Sequence, residues 1–224
     1  MRDRPSLTVT TTSGRIVITG EDRLDIVVDG DAAIEDGDDG GVIVRGSSSS
    51  LEVQCPADTD VRVGTSSGAV ELRGRLGDAR VTTSSSSIRV EDVASLELRS
   101  SSGSLDVDSC AGYCRLQTAS GSVTVGDAGD VDISTKSSSI RVERAAGGRV
   151  HSVSGSIALG ATGADDLDVR SISGSVTVTL LEDVQPRFRL RSVSGHVRCD
   201  CEQGEDADIS IATTSGSISV APDL

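Results

Sequence analysis

The chain of 224 residues has no tryptophan, one tyrosine, one phenylalanine and one methionine. Aromatic side chains supply much of an ordinary globular core. A core here must instead be assembled from Val, Ile, Leu and Ala in thin, repeated layers, which argues against a conventional globular enzyme. Histidine is limited to His151 and His196, a thin supply for acid–base or metal chemistry. No apolar run approaches the roughly 18 residues of a membrane-spanning helix. The opening Met1-Arg2-Asp3-Arg4-Pro5 lacks the apolar stretch of a secretory signal. Basic residues are outnumbered, 21 Lys+Arg against 35 Asp+Glu for a net charge of −14, which disfavours nucleic acid and anionic membrane as partners. The five cysteines Cys55, Cys110, Cys114, Cys199 and Cys201 form an odd set with no evident pairing scheme and suit a reducing compartment. The expected location is cytoplasmic, with the cell surface or extracellular space as the alternative had an export signal been trimmed.

What is abundant is repetition. Related segments recur around Ser13, Ser48, Ser67, Ser85, Ser102, Ser120, Ser137, Ser154, Ser173, Ser194 and Ser215, mostly 17 to 21 residues apart, with a first interval of 35. Each reads apolar-x-apolar-x-(Thr/Ser)-x-Ser-(Gly/Ser)-x-apolar-x-apolar, as in Val61, Val63, Thr65, Ser67, Gly68, Val70 and Leu72. Of the 44 apolar slots in these eleven copies, only Gly148 lacks an apolar side chain. The period of two and the β-branched composition specify strands rather than helices. The odd step across the corner keeps apolar residues inside while the chain turns.

Units this short bury themselves by stacking, with successive strands pairing in parallel about 4.8 Å apart. The expectation is an all-β chain forming one β-solenoid over 1–224, parallel β-helix-like, of about 11–12 turns and on the order of 55 Å long. Each turn takes roughly 18 residues and two short strands. Residues 1–41 are expected to be irregular first turns or a cap, and 42–220 the regular repeats, with one copy degenerate or replaced in the long first interval. The corner serines and the Thr/Ser row before them (Thr11, Thr65, Thr83, Ser100, Thr118, Thr135, Ser152, Ser171, Ser192, Thr213) are expected to face inward and to satisfy one another turn to turn. The C-terminal strand, with only Pro222 to stop pairing, reads as a lightly protected end.

The segments Thr65-Ser66-Ser67-Gly68-Ala69-Val70-Glu71-Leu72, Ser173-Gly174-Ser175-Val176-Thr177-Val178 and Thr12-Ser13-Gly14-Arg15-Ile16-Val17-Ile18-Thr19-Gly20 resemble the bacterial β-strand-repeat "putative adhesin" family of unknown function, over nearly the whole chain. The resemblance implies the solenoid fold and an adhesin or scaffold role. It offers no catalytic residues.

Conventional chemistry finds little purchase. The template puts His151 on an outward slot and His196 at a corner, with no serine distinguished as a nucleophile. Outward charges are mixed in sign, as in a ladder of ion pairs, and no aromatic platform is evident for a sugar. Cys110-x3-Cys114 and Cys199-x-Cys201 do not match zinc-site spacing, and the acidic stretch 29–40 lacks the order of a calcium loop. No catalytic, cofactor or metal residue is expected. One surface feature departs from this background. Val153, Ile172 and Val193 fill an outward slot that other copies give mainly to Ser or Thr, and Arg149, His151, Arg170, Arg189 and Arg191 lie beside them. Read as three stacked aliphatics with a basic rim, this is the candidate surface for a protein partner or a second copy. The function expected is a non-enzymatic structural or adhesin-like interaction scaffold. The alternatives are a carbohydrate-active β-helix enzyme of the polysaccharide lyase or hydrolase type, and ice binding through regular hydroxyl rows.

Overall fold

The structure is a computed structural model, and it describes residues 4–37, 41–48, 50–163, 165–181 and 185–223. Asp38, Asp39 and Gly40 of the acidic stretch and the corner residue Ser49 lie outside the described residues. The chain is all-β, with no helix among the described residues, and its strands follow the repeat as a β-solenoid. They are β1 (Ser6–Thr10), β2 (Ile16–Glu21), β3 (Val27–Asp29), β4 (Ala32–Asp36), β5 (Val42–Gly46), β6 (Leu51–Pro56) and β7 (Asp60–Ser154), followed by β8 (Ile157–Ala161), β9 (Leu167–Ser173), β10 (Val176–Leu180), β11 (Arg187–Ser194), β12 (Val197–Cys199), β13 (Asp208–Ser215) and β14 (Ile218–Pro222). The length of β7, 95 residues, reflects backbone that stays extended through its corners; burial still alternates along it and shifts parity at each corner, as at Thr65 and Val70.

Two compact units emerge, Met1–Gly112 and Tyr113–Leu224. In the first, β1 lies between β5 and residues 60–64, so Leu7 is aligned with Val42 on one side and Val61 on the other. Its continuation β2 lies between β6 and residues 70–74, with Ile16 aligned to Leu51 and Val70. The chain therefore starts inside the stack, and the turn built from β5 and β6 sits outside it. Along the outer edge of that turn run β4 and β3, antiparallel to β5 and β6, pairing Ile34 with Val44 and Val28 with Val53. The long first interval in the repeat thus holds a covering pair of strands, so the copy expected there from spacing is replaced and not merely degenerate.

The second unit reorders its turns in the same way. β13 pairs with β9 on one side and β11 on the other, and β14 pairs with β10 and β12. The C-terminal strands are therefore inserted between turns that are consecutive in sequence. This corrects the expectation of a lightly protected C-terminus, because the end turn is β11–β12 and not the last strand of the chain. Both reorderings have one consequence: an interior place gives β1 and β13 ladder hydrogen bonds on both edges.

The core is the aliphatic set the template names. Leu7, Val9, Ile16, Ile18, Val70, Leu72, Ile88, Val90, Leu105 and Val107 in the first unit are at most 2 % exposed. The set in the second includes Ile133, Val150, Val176, Ile211 and Val220. Stacking keeps like with like: Ile140, Ile157, Val176 and Ile218 are successive neighbours in one column. Gly148, the one exception among the apolar slots, has φ +122°, and a Cβ there would stand 2.1 Å from the Val131 carbonyl oxygen. The corners are equally tight, since a Cβ on Gly103 would lie 1.9 Å from the Ser86 carbonyl oxygen.

The hydroxyl rows behave differently from expectation. The corner serines Ser67, Ser85, Ser137, Ser173 and Ser215 are exposed, because the chain begins to turn before reaching them. The preceding row is buried except at the half-buried Ser100 and Ser192, but several of its hydroxyls donate within their own turn: Thr65 to Ser67 O (3.0 Å), Thr118 to Ser120 O (3.1 Å) and Ser152 to Ser154 O (3.1 Å). Thr11 to Thr65 (3.2 Å) does bond between turns. Thr135, Ser171 and Thr213 bury a hydroxyl without any partner. A two-residue reach to a carbonyl at the corner outcompetes the next turn, about 4.8 Å away.

Candidate interaction surface

The surface singled out by sequence lies in the second unit. Register places His151 beside Arg170, Arg170 beside Ala212 and Ala212 beside Arg191. The aliphatic slot is exposed as expected, at 45 % for Val153, 54 % for Ile172 and 71 % for Val193. The three side chains are not one continuous stack. Insertion of β13 puts Thr214 between Ile172 and Val193, since Ser173 aligns with Ser215 and Ser215 with Ser194. The surface becomes a shallow groove of about 320 Å³ lined by His151, Arg170, Ile172, Thr214, Arg191 and Val193.

The basic rim is also broken up. Arg170 is engaged on its own strand, with Nη2 2.8 Å from Asp168 Oδ2, and Arg189 stands 3.9 Å from Asp208. Arg149 aligns with Asp168 and lies outside this groove. His151 and Arg191 have no carboxylate within ion-pair distance among the described residues. Positive charge that faces the groove without a local counter-charge therefore comes from Arg191.

A second furrow, about 560 Å³, runs beside it and is lined by Tyr113, Asp132, Arg149, Asp168, Arg189 and Asp208 among others. Sequence reasoning passed over Tyr113, the only tyrosine; its ring is 40 % exposed and sits 5.3 Å from the Arg115 guanidinium. The rarity of aromatics in the chain was the available signal. The Tyr113 hydroxyl donates to Asp132 Oδ2 (2.8 Å), and Arg115 donates to the same oxygen through Nε (2.9 Å) and Nη2 (2.8 Å). Burial works to raise the Asp132 pKa, but these hydrogen bonds and the nearby arginines outweigh it and hold the carboxyl below its ordinary value. Asp166 in turn accepts the Asp208 N–H at 2.9 Å. Carboxylates committed in this way are poor general acids.

The remaining candidates are structural in their surroundings. Cys55, Cys110 and Cys114 are buried, whereas Cys199 and Cys201 are half-buried in the end turn. Burial pushes the Cys55 thiol up, and burial together with the neighbouring Cys199 does the same for Cys201, so neither is poised as a thiolate. Among the described residues no group of three or more His, Cys, Asp or Glu side chains is placed to hold a metal ion.

The parallel stack, the aliphatic columns and the Ser-Gly corners run the length of both units, and a single family profile spans them. The Toastrack DUF4097 family model matches residues 2–222. The chain belongs to the Toastrack family. This is a domain family of unassigned function, and membership accounts for the repeat without supplying an activity. Among solved structures, the chain is similar to a crystal structure described as a "putative cell adhesion protein" from Clostridium sporogenes, at 10% identity over 99% of this chain and 93% of that one, with a TM-score of 0.22. No curated protein matches the sequence.

Proposed function

We propose that this Toastrack protein is a non-enzymatic interaction scaffold, adhesin-like in the limited sense that rigid stacked strands present a surface to another protein or to a second copy. The observation that carries the reading is the groove of the second unit, where Ile172 and Val193 remain exposed beside Arg170 and Arg191, with Val153 exposed nearby, on a chain whose inward aliphatic slots are largely buried. Apolar side chains rimmed by charge are the usual composition of a protein-binding patch. A net charge of −14 supports a protein partner over nucleic acid, and the cysteine usage supports a cytoplasmic setting.

The test is the double variant Ile172→Asp with Arg170→Glu. Both side chains are exposed, so folding should be retained while self-association in sedimentation velocity, or retention of a partner in a pull-down, weakens. Unchanged sedimentation and unchanged capture by a folded variant would sink the reading.

A further inference from the structure

The end turn of the second unit is unfinished. The inward slots of β9 and β10 (Leu167, Val169, Val176, Val178) are at most 2 % exposed, and those of β13 and β14 (Ile209, Ile211, Ile218, Val220) at most 1 %. The same slots of the end turn hold Phe188, Leu190 and Cys199, all only half-buried, and Val197, which is 46 % exposed. The chain's one phenylalanine thus sits in a layer that is covered on one side.

The backbone is open at the same place. Among the described residues β11 pairs with β13 alone and β12 with β14 alone. The Arg187 N–H donates to the Ala207 carbonyl (2.7 Å), on the side of β13. Because successive residues of a strand direct their N–H and C=O to opposite edges, Phe188, Leu190 and Ser192 present theirs to the open side. On β12 the His196 carbonyl accepts from Ile218 (2.8 Å), which leaves the N–H and C=O of Val197 on the open side.

Charge says what belongs there. Elsewhere in the outward row of the first strand, an arginine is answered by a carboxylate one turn away: Arg80 by Glu97 at 2.6 Å, Arg115 by Asp132 at 2.8 Å. At the end turn Arg189 aligns with Ser210 and reaches only the diagonal Asp208, at 3.9 Å, while Arg191 aligns with Ala212, so the inner neighbour answers Arg189 at the limit of ion-pair distance and Arg191 not at all. A second copy meeting this edge in a two-fold arrangement would set Arg189 and Arg191 against the same arginines, which is unfavourable. A strand carrying carboxylates outward and aliphatics inward would complete both the ion pairs and the apolar layer, as Val70-Glu71-Leu72 and Leu96-Glu97-Leu98 do inside the first unit.

We infer that the open edge of β11 and β12 is a strand-addition site for an extended acidic segment of a partner protein, in which Asp or Glu alternates with aliphatic residues. This deepens the scaffold reading by specifying the chemistry of the partner. The probe is a capped peptide, Ser-Val-Glu-Leu-Glu-Val-Ser, compared by calorimetry with the same peptide carrying Lys for Glu. The intact protein should bind the Glu peptide and not the Lys peptide, and amide exchange at Phe188 and Leu190 should slow when the Glu peptide is bound. The double variant Arg189→Glu with Arg191→Glu should reverse the preference by at least about tenfold. Leu190→Pro, which removes an N–H that β13 does not use, should abolish binding of either peptide. Ile172→Asp with Arg170→Glu should leave peptide binding intact, so unchanged sedimentation and capture by that variant would refute the scaffold reading and not this site. The inference falls if the folded protein binds neither peptide or both equally, or if the groove variant loses the peptide as fully as the edge variant. It also falls if amide exchange at Phe188 and Leu190 is unchanged, or if sedimentation shows a dimer that excludes the peptide, which would make a second copy the occupant.

Discussion

The order of the turns can be tested directly with engineered disulfides. In the structure Asp168 is aligned with Ser210, and Ser210 with Arg189, so Ser210 separates the other two. Adjacent parallel strands lie about 4.8 Å apart, inside the roughly 4.4–6.8 Å range of Cα separations that a disulfide accepts. Two strands away the separation is about 9.6 Å, beyond the limit of about 7 Å. All three side chains point outward, and a background of Cys199→Ser with Cys201→Ser removes the two half-buried native thiols. Asp168→Cys with Ser210→Cys should oxidise completely under mild copper–phenanthroline treatment, whereas Asp168→Cys with Arg189→Cys should stay reduced, as read by mass spectrometry of tryptic fragments. Closing a loop of about 40 residues is worth at most roughly 4 kcal/mol through the unfolded state. Loss of the half-exposed Asp168–Arg170 pair costs under about 1 kcal/mol. The first oxidised variant should therefore melt well above its reduced form. If the turns instead followed chain order, Asp168 would neighbour Arg189, the second pair would close and the first would not. That result would refute the arrangement and remove the end turn on which the strand-addition site depends.

Two further outcomes follow from the corners and from the ion pairs. Gly103→Ala forces a side chain into φ +122° with the Ser86 carbonyl 1.9 Å from its Cβ. Strain of about 1–3 kcal/mol plus one or two disturbed inter-turn hydrogen bonds at about 1 kcal/mol each predicts a loss of roughly 2–5 kcal/mol in urea unfolding, and a loss under about 0.5 kcal/mol would contradict the close approach. For acid stability, burial pushes the Glu71 and Asp132 carboxyls up, but hydrogen bonds from Arg15 and Arg73 to Glu71, and from Tyr113 and Arg115 to Asp132, bring both below the ordinary values of exposed carboxylates. A depressed folded pKa means the unfolded chain binds more protons, so stability should be fully present above those values and be lost as pH falls through the lower folded ones. Asp132→Asn should flatten that part of the profile in a pH series of melting temperatures, and an unchanged slope would show the pair to be energetically silent.

The layer architecture was legible because it is written in every copy: the template that places Val61, Val63, Val70 and Leu72 inside is satisfied throughout the core. The order of turns was not legible, and for the same reason. When each turn offers the same aliphatic columns, Leu7 fits between Val42 and Val61 as well as beside either alone, so periodicity carries no information about which neighbour wins. That ambiguity also blurred the site. Reading Val153, Ile172 and Val193 as contiguous assumed chain order, and the insertion of Thr214 between the last two follows from β13 taking the interior place. The hydroxyl rows failed on a different ground: parity alone put Ser67 inside, but the corner turns the backbone first, and Thr65 spends its proton on the Ser67 carbonyl.

The two end turns face the same physical problem and solve it unequally. A parallel stack always ends in a strand whose outer N–H and C=O groups lack a ladder partner, and such edges invite association. In the first unit β3 and β4 run antiparallel along the outer turn and occupy that edge. In the second unit the chain inserts its own last strands one place in, at β13 and β14, and leaves β11 and β12 outermost with Phe188, Leu190 and Val197 incompletely covered. Had solubility been the only requirement, the terminal segment 208–222 could have lain outside β11–β12 as the regular repeat implies, presenting Asp208, Ser210 and Ala212 outward on its first strand. The insertion instead places Arg187, Arg189 and Arg191 on the exposed edge of a protein that carries net negative charge. Charge on an edge strand discourages pairing with copies of itself while leaving pairing with an oppositely charged strand open. The same residues that protect the end from polymerisation therefore select what it can bind.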